Sequence, residues 1–298
     1  MRAHVIGNVA MDETIAVASM PEAGASILGR EETRDLGGKG ANQAVVMGRS
    51  GLPTTLVTAI GDDFRAVTIR DQLAGEPVDA HLVALPDRSS DFSIIFTTPD
   101  GENAIVTTTD AAEALLLDQA LRALTSARAG DLVALQGNLA EDVTRGVLAA
   151  AKERGLVTAF NPSPLRPYFT DLWPLVDIAF LNRGEAEYLA GSSGAEAASR
   201  LVEAGVGRVV LTLGGDGALL AAAGTVEAVP AVAAKAVDTT GAGDTFMATA
   251  LASAALRGVP LDRRAIAHAS AAAALTVSRR GTRSAFPTAK ELQDILAA

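Results

Sequence analysis

Short apolar runs alternate with helical patterns through the second half of the chain, and this alternation restricts the possible fold more than any other feature. The runs lie at residues 132–135, 157–160, 178–181 and 209–213. Residues 141–154 have apolar positions at helical spacing, and Gly155 follows as a C-cap. Strands that alternate with helices form a mainly parallel sheet with helices on both faces. We therefore predict a three-layer α/β/α fold.

The region before residue 110 has a different pattern. Residues 92–98 and 103–109 are extended runs that flank Pro99-Asp100-Gly101-Glu102, a turn sequence that favours a hairpin, and residues 14–17 could pair beside it. We predict a small β-sheet, formed by strands within about residues 13–35 and 90–109, that projects from the α/β body. The alternative is an antiparallel edge of the main sheet.

Composition and charge narrow the classes of partner. The 298 residues suffice for one large α/β domain over 1–298 with the small sheet inserted in it. A net charge of -10 argues against nucleic-acid binding, because phosphate-binding surfaces are basic. No apolar run approaches the roughly 18 residues of a membrane span, and the N-terminus lacks a signal-peptide pattern. With no cysteine present, we expect a cytoplasmic protein without nucleic-acid or membrane partners.

A glycine turn near the C-terminus carries the strongest chemical signal. Residues 238–246 read Asp-Thr-Thr-Gly-Ala-Gly-Asp-Thr-Phe and join an extended run to a helical stretch at 246–257. Converging backbone N–H groups and the helix dipole predict an anion site, which phosphoryl transfer requires. Asp244 lies beside it, where a carboxylate can accept a proton from an attacking hydroxyl. The alternative is that Asp244 is only the helix N-cap.

A second glycine run precedes a helix near the N-terminus. Residues 37–44 read Gly-Gly-Lys-Gly-Ala-Asn-Gln-Ala, and we predict the helix at 41–49. Glycines let the backbone approach a polyol closely, and Lys39 and Asn42 can donate hydrogen bonds to its hydroxyls. The alternative is an ordinary glycine loop with a solvated Lys39.

These two segments resemble the signatures of the ribokinase-like (PfkB) carbohydrate kinases. Residues 238–246 are similar to the family's C-terminal signature, and residues 37–44 to its sugar-binding loop, in a form more typical of ribokinases than of the family's nucleoside kinases. Further motifs follow the family's order at 7–12, 182–185 and 212–217, so the resemblance covers nearly the whole chain. It implies a ribokinase-like fold in which the small sheet is a lid that also pairs two subunits into a homodimer.

The resemblance implies roles for the matching residues. Asp244 would be the catalytic base, with an anion hole formed by the backbone of Gly241, Ala242 and Gly243. The acceptor site would comprise Asp12, Gly38, Lys39, Gly40, Asn42, Asn138 and Asp244. The ATP site would comprise Asn182, Thr212, Gly214, Gly217, Gly243 and Ser270. Glu185 would organise hydrated Mg²⁺. K⁺ would be held, mostly through backbone oxygens, by Asp238, Thr240, Thr276, Arg279, Gly281 and Ser284.

Several of these motifs also have purely structural interpretations. Asn182 and Glu185 fit a capping box at a helix start, and residues 212–217 fit a hairpin turn. Arg279 and the following Arg280 fit a solvated pair. His268, near Ser270, fits helix surface or packing better than a ligand.

The chain departs from the family pattern at three positions. Ala10 stands where ribokinases usually have Asn, and Asn138 where they tend to have a substrate-contacting Glu. Ser270 stands where Asn or His is frequent near the adenine. Asn8 or Asn138 could still supply a hydrogen bond to the sugar. Because a buried polar site discriminates among hydroxyl patterns, these departures leave the acceptor open.

The motifs together predict ATP-dependent phosphorylation of a primary hydroxyl of a small sugar, ribose or a related pentose, with Mg²⁺ and K⁺ as cofactors and ADP as a product. A kinase for another sugar or a nucleoside is one alternative. A non-catalytic sugar or nucleotide sensor on a kinase scaffold is another. The sensor hypothesis predicts loss of the base or the anion hole, and Asp244 and its glycines are intact.

Overall fold

β-Strands occur throughout the chain, not only in its second half. The computed structural model describes residues 1–99 and 103–298. The strands in these residues are β1 (Ala3–Ile6), β2 (Ala10–Val17), β3 (Gly29–Gly37), β4 (Thr54–Ile60), β5 (Asp79–Ala84), β6 (Phe92–Thr97), β7 (Asn103–Thr107), β8 (Leu132–Gln136), β9 (Val157–Asn161), β10 (Ile178–Asn182), β11 (Arg208–Thr212), β12 (Ala218–Ala222) and β13 (Thr225–Val229).

Helices connect most of these strands. They are α1 (Lys39–Arg49), α2 (Phe64–Ala74), α3 (Asp110–Glu113), α4 (Leu117–Arg122), α5 (Glu141–Glu153), α6 (Arg183–Ala190), α7 (Gly194–Glu203), α8 (Ala242–Arg257), α9 (Arg263–Val277) and α10 (Ala289–Ala297), with 3₁₀ turns at Pro167–Leu175 and Gly214–Asp216. Across the described ranges, none of the helices combines the length and apolar character that crossing a membrane requires.

The strands form two sheets. The larger sheet has nine strands in the order β13-β12-β11-β10-β9-β8-β1-β4-β5. All neighbours from β11 to β5 are parallel, whereas β12 and β13 extend one edge antiparallel. The mainly parallel sheet predicted from the sequence is confirmed.

Apolar side chains on the two faces of the larger sheet pack into separate clusters. Consecutive residues Val5 and Ile6 of β1 belong to different clusters, as expected for a strand buried on both faces. Helices α1, α8 and α9 pack on one face, whereas α5 and α7 pack on the other. Since helices cover both faces of the sheet, the predicted three layers are present. Each fully buried aliphatic side chain in these clusters contributes about 1.5–3 kcal/mol of transfer free energy.

The smaller sheet has four strands in the order β3-β2-β6-β7. Antiparallel pairs β2–β3 and β6–β7 are joined by parallel pairing of β2 with β6, in which Thr14 faces Ile95. The extended runs near residue 100 thus form a separate sheet and not an edge of the larger one. Residues 100–102 of the predicted turn lie outside the described residues.

Two helices begin earlier than the sequence pattern predicts. Helix α1 begins at Lys39 and not at 41, and α8 begins at Ala242 and not at 246. Each follows an N-cap glycine with positive φ, Gly38 at 87° and Gly241 at 73°, so the chain turns into the helix within the glycine run. Asp244 consequently lies within the first turn of α8.

Candidate active site

The carboxyl ends of five neighbouring parallel strands bring the polar motifs together. Strands β11, β10, β9, β8 and β1 lie side by side. Thr212, Asn182 and Asn161 end the first three strands, whereas Asn138 and Asn8 lie two residues beyond the other two. Ligands of open α/β sheets bind outside this edge. Motifs more than 200 residues apart in sequence thus meet at one face.

Asp244 is a buried carboxylate with two side-chain donors. Its Oδ2 accepts a hydrogen bond from Asn42 Nδ2 at 2.9 Å, and its Oδ1 accepts one from Gln43 Nε2 at 3.0 Å. The N-cap of α8 is Gly241, so the interpretation of Asp244 as a simple N-cap is wrong. The carboxylate is held instead by helix α1, in a geometry that leaves lone pairs free to accept a proton.

The glycine turn before α8 has donors and space. The backbone N–H groups of Gly243 and Asp244 have no hydrogen-bond partner among residues 1–99 and 103–298. A Cβ placed on Gly243 would meet no atom within 4 Å, whereas one on Gly241 would lie 2.6 Å from Phe286 Cε1. Gly241 therefore permits the turn, and Gly243 leaves room beside the free donors. The arrangement can bind an anion.

The glycines at the start of α1 lie against the backbone of residues 8–10. A Cβ on Gly38 would lie 2.7 Å from the backbone N of Ala10, and one on Gly40 would lie 2.7 Å from the backbone O of Asn8. Asn8 Oδ1 also accepts a hydrogen bond from the Gly40 N–H at 3.3 Å. These glycines permit close packing of the chain on itself. Half-buried Lys39 lines a small pocket together with Asp244.

Asp12 lies on β2 of the smaller sheet. Its Oδ2 accepts a hydrogen bond from Thr282 Oγ1 at 2.8 Å, and a Cβ on Gly37 would lie 2.1 Å from the same oxygen. Burial raises the pKa of Asp12 to about 6, although hydrogen bonds from Thr282 and Ser93 oppose that increase. Asp12 therefore changes charge close to neutral pH.

Three buried amide oxygens at this edge have no hydrogen-bond partner within the part of the chain that the structure describes: Asn42 Oδ1, Gln136 Oε1 and Asn138 Oδ1. A buried acceptor left unpaired costs about 1–3 kcal/mol. Several such acceptors near one carboxylate suit a ligand with several hydroxyl groups, each of which can donate a hydrogen bond. Gln43 and Gln136 were missed as site residues by the sequence reasoning, although Gln43 lies within the glycine motif at 37–44; no local pattern distinguishes Gln136.

A cleft of about 780 Å³ opens beside the glycine turn. Its walls include Asn182, Thr212, Gly214, Gly217, Gly243 and Ser270, so the structure brings all six predicted nucleotide-site residues together. Small apolar residues at 231–234 and 236 form much of the remaining wall. The sequence analysis missed this segment because it contains no motif. A mostly apolar slot that ends at backbone donors suits an aromatic base with attached phosphates.

The capping-box and hairpin interpretations of the nucleotide motifs are both confirmed. Asn182 Oδ1 accepts a hydrogen bond from the Glu185 N–H at 2.8 Å, and Glu185 Oε2 accepts one from the Asn182 N–H at 2.9 Å. Thr212 pairs with Ala218 across the β11–β12 hairpin. Buried Glu185 nevertheless lines the same small pocket as Asp244. A structural role thus coexists with a position at the site.

Five of the six residues expected around a monovalent cation lie on two adjoining loops, and the sixth, Thr276, lies in the last turn of α9. Both carboxylate oxygens of Asp238 accept backbone N–H groups, from Thr240 at 2.9 Å and from Gly281 at 3.1 Å. The guanidinium of Arg279 pairs with Glu291 at 2.6 Å, so Arg279 is not simply a solvated side chain. These contacts join residues 238–240 to residues 279–281.

The remaining residues of this set have contacts of their own. Buried Thr276 donates a hydrogen bond to Thr245 Oγ1 at 3.0 Å, and the N–H of exposed Ser284 donates to Asp35 Oδ2 at 2.7 Å. His268 is buried and its Nδ1 lies 2.8 Å from Ser253 Oγ, so it packs between helices and is not surface-exposed. Burial lowers the pKa of His268.

The chain is similar to known carbohydrate kinases over nearly its whole length. The model of the pfkB family carbohydrate kinases matches residues 2–289. A ribokinase from Haemophilus influenzae is 31% identical over 302 residues, covering 98% of this chain and 97% of the relative. A solved ribokinase from Thermotoga maritima has a TM-score of 0.88 at 26% identity, covering 100% of both chains. A ribokinase from Arabidopsis thaliana complexed with ribose and ATP has a TM-score of 0.86 at 26% identity, covering 99% of this chain and 98% of that one.

Proposed function

The chain belongs to the pfkB family of carbohydrate kinases, and from that premise we propose that it transfers the γ-phosphoryl group of ATP to a primary hydroxyl of ribose or a related pentose. The observation that carries the proposal is the position of Asp244. Its buried carboxylate lies one residue beyond Gly243, whose backbone N–H has no partner and whose α-carbon faces open space within the described part of the chain.

Asp244 would act as the general base. Its two oxygens are fixed by Asn42 and Gln43, so it can accept the proton of an acceptor hydroxyl without reorienting. The free N–H groups of Gly243 and Asp244 would stabilise negative charge on the transferred phosphoryl group. Lys39 would bring positive charge to the same pocket.

A polyol acceptor accounts for the unpaired amide oxygens. Asn42 Oδ1 and Asn138 Oδ1 would each accept a hydrogen bond from a sugar hydroxyl, and ionised Asp12 would accept another. Ala10 cannot contribute a polar side chain. The three relatives named ribokinase, one of them complexed with ribose and ATP, support a pentose over a nucleoside.

Glu185 would hold a hydrated Mg²⁺. It is a buried carboxylate at the small pocket that also includes Asp244 and Asn182, which fits the oxygen ligands and retained waters that Mg²⁺ prefers. When bound, the ion would neutralise charge on the phosphates.

The loops at 238–240 and 279–284 would hold K⁺ through backbone oxygens. Asp238 already accepts two backbone N–H groups, so its side chain organises the loops. Arg279 could contribute only its carbonyl, because a guanidinium is cationic and has no acceptor. Hard oxygen donors on two tied loops fit such a cation.

We propose a homodimer through the smaller sheet. Ile105 and Val106 on β7 are 51% and 63% exposed, and Leu28 beside β3 is 94% exposed. Such apolar exposure is typical of an interface. Sedimentation velocity of the wild type and of Val106→Glu tests this, because the substitution should shift the protein to monomer. The cysteine-free sequence fits a reducing compartment, and we propose the cytoplasm.

The test of the function is ADP release with Mg-ATP and K⁺ across pentoses, hexoses and nucleosides, followed by NMR location of the new phosphate. We expect the highest kcat/KM with ribose or a related pentose, and phosphate on its primary hydroxyl. A hexose or nucleoside preferred by more than about tenfold would reassign the acceptor. Sugar or ATP binding without acceptor-dependent ADP release would indicate a sensor.

A further inference from the structure

A chain of buried amides runs from the core of the sheet to the candidate base. Gln136, the last residue of β8, donates from Nε2 to Gln43 Oε1 at 2.7 Å. Gln43, on α1, donates from Nε2 to Asp244 Oδ1 at 3.0 Å. Gln136 and Gln43 are 0% exposed and Asp244 is 6% exposed. The contact thus has no competition from solvent.

The chemistry of the three groups fixes the direction of this chain. An ionised carboxylate only accepts hydrogen bonds, so Gln43 must present its NH₂ group to Asp244. Its carbonyl oxygen then faces Gln136, which must also present its NH₂ group. The carbonyl of Gln136 is left unpaired and lies 1.9 Å from where a Cβ on Gly7 would be. The absence of a side chain at Gly7 makes room for this carboxamide.

The two donors to Asp244 are not equivalent. Asn42 has an unpaired Oδ1, and the proposed function assigns it to the acceptor. Gln43 has both ends of its carboxamide occupied by protein groups, and neither is available to a ligand. Gln43 therefore holds Asp244 from the protein side, whether or not the acceptor is bound.

We propose that Gln43 is a positioning residue for Asp244 and that Gln136 acts through Gln43. The pair orients the carboxylate so that a lone pair faces the acceptor hydroxyl. This inference rests on the proposed role of Asp244 as the base. Misplacing a reacting group by about 1 Å can cost on the order of 100-fold in rate without loss of binding, so the effect belongs in kcat and not in acceptor affinity.

The test is a double-mutant cycle with Gln43→Met, Gln136→Met and both together. Methionine keeps length and apolar packing while removing the amide. Ser253→Ala is the matched control, because Ser253 is a buried residue of α8 whose hydroxyl bonds His268 away from the site. For each variant kcat, the acceptor dissociation constant and the thermal midpoint are measured.

We expect Gln43→Met to lower kcat by about 10- to 100-fold while the acceptor dissociation constant changes by less than about threefold. Gln136→Met should lower kcat by about threefold to tenfold, and the double variant should match Gln43→Met alone, because Gln136 acts through it. Ser253→Ala should lower the thermal midpoint but not kcat. The proposal would be overturned if the decrease in kcat of the double variant equalled the product of the two single-variant decreases. It would also be overturned if the variants weakened acceptor binding and left kcat unchanged.

The thermal midpoints test the contact independently of turnover. Each single variant leaves a buried amide unpaired and should lower the midpoint by about 3 °C. The double variant should lower it by less than the sum. An additive decrease would show that the amides are not coupled. If the wild type phosphorylates no acceptor, the proposed function fails and the catalytic role fails with it, while the midpoints still report whether the coupled contact exists.

Discussion

The glycines at the start of α1 and those at the start of α8 look alike in sequence. They differ in the space around them, that is, in which atoms an added Cβ would contact. At Gly38 and Gly40 an added Cβ would lie 2.7 Å from backbone atoms of residues 10 and 8. At Gly243 it would have no neighbour within 4 Å, and the same holds at Gly214 and Gly215 beside the cleft. Glycine in the first run lets the chain pack on itself, whereas Gly243 in the second leaves open space, which the proposed function assigns to the phosphates.

Because of this difference, we expect the packed glycines to affect mainly the stability of the fold and the open glycines to affect mainly catalysis. The packed glycines set the positions of Asn42 and Gln43, and through them the position of Asp244. The open glycines set what can approach Asp244. A substitution in one region should therefore unfold the protein, and the same substitution in the other should leave the fold intact but block chemistry.

Gly40→Ala should produce the largest effect. Its Cβ would contact the backbone N and O of Asn8 at 2.9 and 2.7 Å, and backbone cannot move aside cheaply. We expect a loss of about 3–5 kcal/mol in the free energy of unfolding, measured by urea titration. A loss below about 1 kcal/mol would contradict the packing role.

Gly243→Ala should have the opposite profile. Alanine has room at this position and is the better helix former, so the thermal midpoint should stay unchanged or increase slightly. The methyl group would occupy the space beside the free N–H groups, and we expect kcat to decrease by about 100-fold. Steady-state kinetics and thermal unfolding measure the two quantities. Unaltered kcat would show that the open space is not used.

The pH dependence of kcat/KM should show the ionisation of the Asp12 carboxyl. A pKa raised to about 6 means that the carboxyl is mostly protonated below pH 6 and loses the negative charge that strengthens its hydrogen bond from the sugar hydroxyl. We expect kcat/KM to decrease about tenfold per pH unit below about pH 6. Asp12→Asn should remove this acidic limb while lowering kcat/KM at higher pH. A limb that persists in Asp12→Asn belongs to another group.

Thr282→Val should produce the smallest effect. The Thr282 hydroxyl donates to Asp12 at 2.8 Å and lowers its pKa, so removing it should move the acidic limb of kcat/KM to higher pH. We expect the acceptor KM to increase about fivefold near neutral pH. Thr282→Ser, which keeps the hydroxyl that donates to Asp12, is the control and should leave the limb in place. A limb that moves to lower pH would contradict the assignment.

The local patterns of the sequence predicted the local structure. The apolar runs at 132–135 and 157–160 lie in strands β8 and β9, because a strand buried on both faces needs a continuous apolar run. The starts of α1 and α8 were misplaced, since glycines at positive φ let a helix begin inside the run. Periodicity cannot locate such starts.

Contacts across the fold could not be predicted in the same way. Gln43 and Gln136 are 93 residues apart, and Asp12 and Thr282 are 270 residues apart. Their pairing depends on which strands are neighbours in the sheet. The order of the strands cannot be read from the local patterns of a single sequence. The family resemblance placed Asp244, Asp12 and Asn42 near a ligand, but it did not show that Gln43 holds Asp244 or that Thr282 holds Asp12.

The most direct test of the account is Asp244→Asn, with single-turnover phosphoryl transfer measured alongside equilibrium binding of ATP and of the acceptor. The amide keeps the shape of the carboxylate but cannot accept the hydroxyl proton. We predict a transfer rate lower by about 1,000-fold, with both dissociation constants within about threefold of the wild type. A variant that retains more than about a tenth of the wild-type rate would contradict Asp244 as the base.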